Sequence, residues 1–156
     1  MDSHIILIVE DNPINMKLFR VLLKKEKYEV IEAEDAETGI EQARLKHPHL
    51  ILMDIGLPGL DGLSATRIIK TDPVLKDIPI LALTAHAMSG DEEKAREAGC
   101  DGYMSKPIDT RGFLKMVSRY FARDEKRISG LLSGRRKDEG LDGGSSQRSE
   151  QNSADG

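Results

Sequence analysis

The sequence predicts an α/β fold, a doubly wound (βα)5 chain around a five-stranded parallel sheet, and three observations predict it. Five short runs rich in β-branched residues or leucine, Ile5–Val9, Tyr28–Glu32, Leu50–Met53, Ile80–Leu83 and Gly102–Met104, are each followed by a stretch long enough for a helix. The central run, Leu50–Met53, is apolar at every position, as a strand covered on both faces of a parallel sheet requires. It ends in Asp54 and then breaks into Gly56, Pro58, Gly59 and Gly62, which keep bulky side chains away from the carboxylate. Ligands of an open α/β sheet collect at the carboxyl ends of its strands, which makes Asp54 the expected centre of a site.

The elements follow in order. Asn12-Pro13 opens the first helix, because proline is tolerated in a first turn and the preceding asparagine can cap it. Ile14, Leu18, Val21 and Leu22 are expected to supply that helix's apolar face. The second helix is expected from Ala36 to Lys46, stopping before Pro48. The third follows Asp61-Gly62, with Leu63, Thr66, Ile68 and Ile69 as a broad buried stripe, and ends near Thr71-Asp72-Pro73. The fourth has two candidate starts, Ala87 and Ser89, and its acidic, small-residue face predicts weak local order. Arg111 to Phe121 forms the last amphipathic helix, with Phe113, Leu114, Val117 and Tyr120 as packing residues. After Arg123 no sustained apolar period remains, and the basic run Arg135-Arg136-Lys137 is followed by Gly143-Gly144-Ser145-Ser146-Gln147. Residues 1–123 are therefore expected to fold as one domain and 124–156 to form a disordered tail, in which Ile128, Leu131 and Leu132 offer one weak helical turn or a transient docking patch.

Composition narrows the function. The net charge of -4, without a concentrated basic face in the folded region, argues against direct nucleic-acid binding, and three Tyr, three Phe and no Trp leave few platforms for base stacking. A single cysteine, Cys100, cannot form an internal bridge and reads as a small filler ahead of a strand. Ile5–Val9 has no basic segment before it and Glu10 and Asp11 directly after it, so neither a signal peptide nor a membrane span is expected, and a cytoplasmic location follows.

Glu10 and Asp11 end the first strand as Asp54 ends the third, and neighbouring parallel strands bring all three acids to one rim. Clustered carboxylates disfavour their charged forms unless a cation compensates, and an all-oxygen set points to Mg²⁺, with Mn²⁺ as the alternative hard cation. Taken by themselves, Glu10 and Asp11 read equally well as a helix-capping pair. The fourth strand ends in Thr84 and the fifth leads to Lys106, which add a hydroxyl donor and a cation to the same rim. The Lys106-Pro107 bond is a candidate for the cis form, which would aim the lysine inward. Asp54 as nucleophile, a metal, Lys106 and Thr84 together make an inventory for phosphoryl transfer. No phosphate-binding loop of the Gly-x-x-x-x-Gly-Lys-Ser/Thr type and no kinase signature is present, so the phosphoryl donor must come from elsewhere.

Glu10-Asp11-Asn12, Asp54-x-x-x-Pro58-x-x-Asp61-Gly62, Thr84-Ala85 and Lys106-Pro107 together resemble the receiver domain of two-component response regulators over roughly Ile5 to Phe121. The resemblance implies Mg²⁺-dependent transfer from a histidine kinase or phosphotransfer protein to Asp54, followed by a conformational switch. It also implies that Asp11, Asp54 and the Gly56 carbonyl bind the metal, with Glu10 acting through water. Within the family, Val9-Glu10-Asp11-Asn12, Asn15-Met16-Lys17-Leu18-Phe19, Leu52-Met53-Asp54-Ile55 and Gly90-Asp91-Glu92 most resemble the DivK-type single-domain regulators, which act by docking on kinases or other regulators in cell-cycle and division control. The tail beyond Arg123 departs from that compact pattern.

The expected switch pairs Thr84, drawn toward the phosphoryl group, with Tyr103 turning inward near helix four. A downstream regulatory protein is expected on helix four, strand five and helix five, including His86, Ala87, Met88 and Tyr103. The phosphodonor is expected at helix one around Asn15 and Phe19, and the protein could be recruited to a localised kinase. Two alternatives compete: a docking module that no longer accepts phosphate, and a metal-dependent phosphatase of the haloacid dehalogenase type. The second needs another acid two residues after Asp54, where Gly56 stands.

Overall fold

The computed structural model describes residues 4–57, 59–84, 90–106 and 108–121. The chain alternates β1 (Ile5–Val9), α1 (Pro13–Lys25), β2 (Glu29–Ala33), α2 (Ala36–Lys46), β3 (Leu50–Asp54), α3 (Gly62–Thr71), β4 (Ile80–Thr84), α4 (Asp91–Ala98) and β5 (Gly102–Ser105). A final helix, α5, covers 110–121. The five strands form one parallel sheet in the order β2-β1-β3-β4-β5. This is the doubly wound architecture that the sequence predicts. The chain leaves β1 toward β2 on one side and returns to β3 on the other, so the winding reverses between β1 and β3, where such sheets open their ligand crevice.

Burial explains the strand types. Every residue of β3 and β4 is buried, which suits their all-apolar runs, whereas the edge strands β2 and β5 are largely half-buried or exposed. Leu7, Val9, Ile51, Met53, Ile69 and Ile80 belong to one apolar cluster packed between sheet and helices. At about 25 cal/mol per Å² of apolar surface removed from water, burial of such side chains supplies the main force holding the helices to the sheet.

Helix caps follow the sequence closely. Asn12 accepts hydrogen bonds from the backbone N–H groups of Ile14 and Asn15, Asp35 from Thr38, and Asp61 from Ser64. α2 ends at His47 in the left-handed region, ahead of Pro48. α4 begins after Gly90, at φ 95°. The candidate starts at Ala87 and Ser89 lie outside the described residues, as do Pro58, Ala85, His86, Met88, Pro107 and the expected tail 124–156.

Two helix faces differ from expectation. On α1, Ile14, Leu18 and Val21 are 78%, 37% and 52% exposed, while Met16, Phe19 and Leu23 are buried and Leu22 is intermediate. Both triplets have helical spacing, so periodicity cannot choose between them. The large ring decides: Phe19 packs on Phe113, with ring centroids 5.4 Å apart. On α3, Thr66 and Ile69 are buried as expected, but Ile68 is 39% exposed and Leu63 is intermediate, and Ala65 takes the sheet-facing position.

The chain divides into two compact units, Met1–Lys115 and Met116–Gly156. The first holds the whole sheet. Of the second, the described part is the end of α5, where Val117, Tyr120 and Phe121 are buried. Among the described residues no helix is long and apolar enough to cross a membrane.

Candidate functional site

Parallel pairing in register places the strand ends side by side. Val9 pairs with Met53, so Glu10 follows β1 beside Asp54, and Asp54 pairs with Leu83, one residue before Thr84. Thr84 in turn pairs with Ser105, and the Lys106 backbone N–H donates to the Thr84 carbonyl at 2.6 Å. Glu10, Asp11 and Asp54 each offer a carboxylate oxygen within 4.8 Å of the others. Glu10, Asp54 and Thr84 are buried, whereas Asp11 is exposed at the rim.

Lys106 enters this acid pocket from β5. Its ammonium donates to Glu10 Oε1 at 2.7 Å and to Asp54 Oδ2 at 3.4 Å, and its side chain is 12% exposed. The other Glu10 oxygen, Oε2, accepts the Asn12 N–H at 3.1 Å. Both Glu10 oxygens are therefore engaged by the protein. Burial pushes the Glu10 carboxyl above its ordinary range, and the Lys106 and Asn12 hydrogen bonds pull it back. The nearby Asp54 charge pushes in the same direction as burial.

Asp54 is held on its other side by the turn that follows β3. The Gly56 N–H donates to Asp54 Oδ1 at 2.9 Å, so Gly56 holds the carboxylate through its amide. Gly62 is the glycine of this turn that stands closest to the acceptor's backbone. A Cβ there would stand 2.3 Å from the Asp54 carbonyl oxygen and 2.7 Å from Ile55 Cα, so only glycine lets α3 start this close to the acceptor's backbone. Its signal was present in Asp61-Gly62, where Asp61 caps the helix that Gly62 begins. Thr66, fully buried one turn later, donates its hydroxyl to the Gly62 carbonyl at 2.8 Å.

The donor set suits a hard divalent ion: three carboxylates, oxygen ligands only, one of them at the solvent edge. Among the described residues Lys106 is the cation that contacts these acids, one positive charge against three carboxylates, which leaves room for a dication. The structure brings Glu10, Asp11, Asp54, Gly56, Thr84 and Lys106 to one end of the sheet. Tyr103 lies apart from them, half-buried, and lines a cavity of about 60 Å³ with Arg96, Cys100 and Asp101. Cys100 is a half-buried filler as expected; burial pushes its thiol up, and its S–H points to Thr66 Oγ1 at 3.8 Å. His86 lies outside the described residues.

Comparison with known proteins agrees with this geometry. The response regulator receiver domain family matches residues 6–118. The polar-differentiation response regulator DivK of Brucella ovis is 47% identical over 115 residues, covering 74% of this chain and 94% of the relative. Among solved structures, the receiver domain of a sensor histidine kinase from Pseudomonas aeruginosa, with a magnesium ion coordinated in its active-site cleft, is 36% identical at a TM-score of 0.72, covering 78% of this chain and 99% of that one. A second, at 29% identity and a TM-score of 0.69 over 76% of this chain and 88% of that one, is a yeast receiver domain from Saccharomyces cerevisiae crystallised with the histidine phosphotransfer protein upstream of it. With its winding order, its acid pocket and these relatives, the chain belongs to the response regulator receiver domain family of two-component signalling.

Proposed function

We propose that Asp54 is the phosphoryl acceptor of a DivK-type regulator and that the phosphorylated domain signals by docking on a downstream protein, in cell-cycle or division control. The observation that carries this reading is the Lys106 ammonium held between Glu10 and Asp54 in a pocket of three carboxylates. Mg²⁺ would be held by Asp11, Asp54 and the Gly56 carbonyl, with Glu10 acting through water because both of its oxygens are already engaged. When bound, it supplies positive charge to the phosphoryl oxygens and offsets the acids. No observation speaks for Mn²⁺.

The chain's own residues then divide the work. The Gly56 N–H and Lys106 orient the Asp54 carboxylate. Asp54 attacks phosphorus, the P–N bond of the donor's phosphohistidine breaks, and its electron pair returns to the imidazole nitrogen. Lys106 stays with the transferred group as a counter-charge, and the Thr84 hydroxyl donates to one of its oxygens. Tyr103, beside α4, reports that contact to the surface on α4, β5 and α5. A partner that binds only the switched arrangement reads the phosphate.

The donor is a histidine kinase or a phosphotransfer protein, and α1 suits it with one correction: Phe19 is buried against Phe113 and is not available for contact, whereas Asn15 is partly exposed and Ile14, Leu18 and Val21 form an exposed apolar stripe on the same helix. We place the receiver unit at residues 1–123, with 124–156 dispensable for phosphotransfer, and the protein in the cytoplasm near a localised kinase. The experiment is transfer from a radiolabelled phosphohistidine domain with and without Mg²⁺. Label that requires Mg²⁺ and vanishes in Asp54→Asn supports the reading. Label that persists in Asp54→Asn removes it, and no label on wild type from any donor leaves the phosphate-independent docking module in its place.

A further inference from the structure

A second cavity, of about 270 Å³, opens on the α1 side of the acid pocket, and the proposed phosphotransfer does not use it. Its lining combines Met16 and Pro13 from α1 with Glu32 and Glu34 from the end of β2, and it adjoins Glu10 and Asp11. Arg20 spans it, donating from Nη1 to Glu32 Oε2 at 2.7 Å. The volume stands at the foot of the roughly 300–1,000 Å³ range of small-molecule sites and has room for one inserted side chain.

Charge says which side chain. Glu10 is matched by Lys106 and Glu32 by Arg20, while Asp11 belongs to the acid pocket. Glu34, exposed at the end of β2, has no cationic partner among the described residues. Of the four carboxylates that line the cavity, Glu34 is the one left with neither an ion-pair partner among the described residues nor a place in the acid pocket. A compact dication is disfavoured, because Glu32 is already committed to Arg20 and the pocket supplies Met16 and Pro13 where a metal would want oxygens. A long basic side chain meets both needs, laying its methylenes on the apolar lining and its charge against Glu34.

We propose that this cavity receives a lysine or arginine of the phosphodonor protein, an anchor beside the apolar stripe of Ile14, Leu18 and Val21. The proposal rests on the reading of the acid pocket given above and adds the chemistry of the partner. A donor carrying an anionic phosphoryl group approaches a rim of like charge, so a cation placed on the rim's free carboxylate aids both encounter and register. Glu34 would then determine which donors bind well and take no part in the transfer itself.

The test uses the full chain and n-butylguanidinium as probe, followed by ¹⁵N–¹H NMR. Saturable shifts are expected at the amides of Arg20, Glu32 and Glu34, weakened about three- to fivefold by Glu34→Gln, in line with a solvent-facing ion pair. Shifts that remain linear, or that are unchanged in Glu34→Gln, overturn the proposal. In the protein arm, transfer from a phosphorylated histidine phosphotransfer domain that labels wild type should show KM raised by a similar factor in Glu34→Gln with kcat retained. A lowered kcat at unchanged KM would also overturn it. Acetyl phosphate labelling of Asp54, which needs no protein donor, should be equal in wild type and Glu34→Gln. Its absence in both would strike the acceptor assignment and leave the NMR result on the cavity standing.

Discussion

Two lysines, one at each end of the sheet, show how the same chemistry serves different ends. At the amino end Lys70 donates to the Lys76 carbonyl at 3.2 Å, the Ile78 carbonyl at 2.8 Å and Asp101 Oδ2 at 3.0 Å. Asp101 Oδ2 also accepts the Ile80 N–H at 2.9 Å, and the Lys70 stem packs on Gly99, whose φ is 110°. All three ammonium protons have acceptors and one acid meets one base: the arrangement ties α3 to the starts of β4 and β5. At the carboxyl end Lys106 faces two buried carboxylates with a third beside them, an excess of acid over base among the described residues. A satisfied half-buried cation marks a joint; an outnumbered one marks a place where something charged arrives.

This contrast can be broken from either side. The largest effect is expected at Lys106 and Asp11. Lys106→Ala should lower Asp54 labelling by acetyl phosphate about 10²-fold, as for loss of a stabilising charge at a transition state, while Mg²⁺ affinity holds. Asp11→Asn should do the reverse in emphasis, weakening Mg²⁺ by at least about tenfold through loss of a hard anionic ligand. Parallel titrations and labelling on the two variants separate the roles, and equal loss of metal affinity in both would contradict them.

Next comes Gly62→Ala, whose methyl must displace the Asp54–Ile55 backbone or the start of α3. A cost of about 1–3 kcal/mol in urea unfolding is expected, with slower labelling. Lys70→Met should cost about 1–2 kcal/mol, discounted because Asp101 is partly exposed, and leave labelling unchanged. If Lys70→Met impaired labelling as Lys106→Ala does, the two ends of the sheet would not be functionally separate.

The smallest expected effect is an acid dependence. The Val74 N–H holds the Asp72 carboxyl below its usual range, with Arg44 assisting. Its folded value lies below its unfolded one, so its contribution is complete above the ordinary carboxylate range and is lost as pH falls through the folded value. Thermal unfolding of wild type should therefore soften more than that of Asp72→Asn between about pH 5 and pH 2. Parallel curves would remove Asp72 from the account.

The legible part of this molecule is what strand ends dictate. Once Leu50–Met53 reads as a central strand, Asp54 must sit at its rim, and Glu10, Thr84 and Lys106 follow from the same alternation. The pairing of α1's faces was not legible, because Ile14, Leu18 and Val21 have the same periodicity as Met16, Phe19 and Leu23 and only contact with Phe113 separates them. Gly62 was visible as a turn residue, but its closeness to the Asp54 carbonyl depends on where α3 packs. Arg20 with Glu32, and Lys70 with Asp101, join residues whose distance in sequence gives no local pattern to read.

The central claim is that Asp54 receives the phosphoryl group. Its most direct test is full-length protein treated with acetyl phosphate and Mg²⁺, reduced with borohydride, which converts an aspartyl phosphate to homoserine, and mapped by peptide mass spectrometry. The account predicts homoserine at position 54, dependent on Mg²⁺. Homoserine at another aspartate, with Asp54 intact, would contradict it.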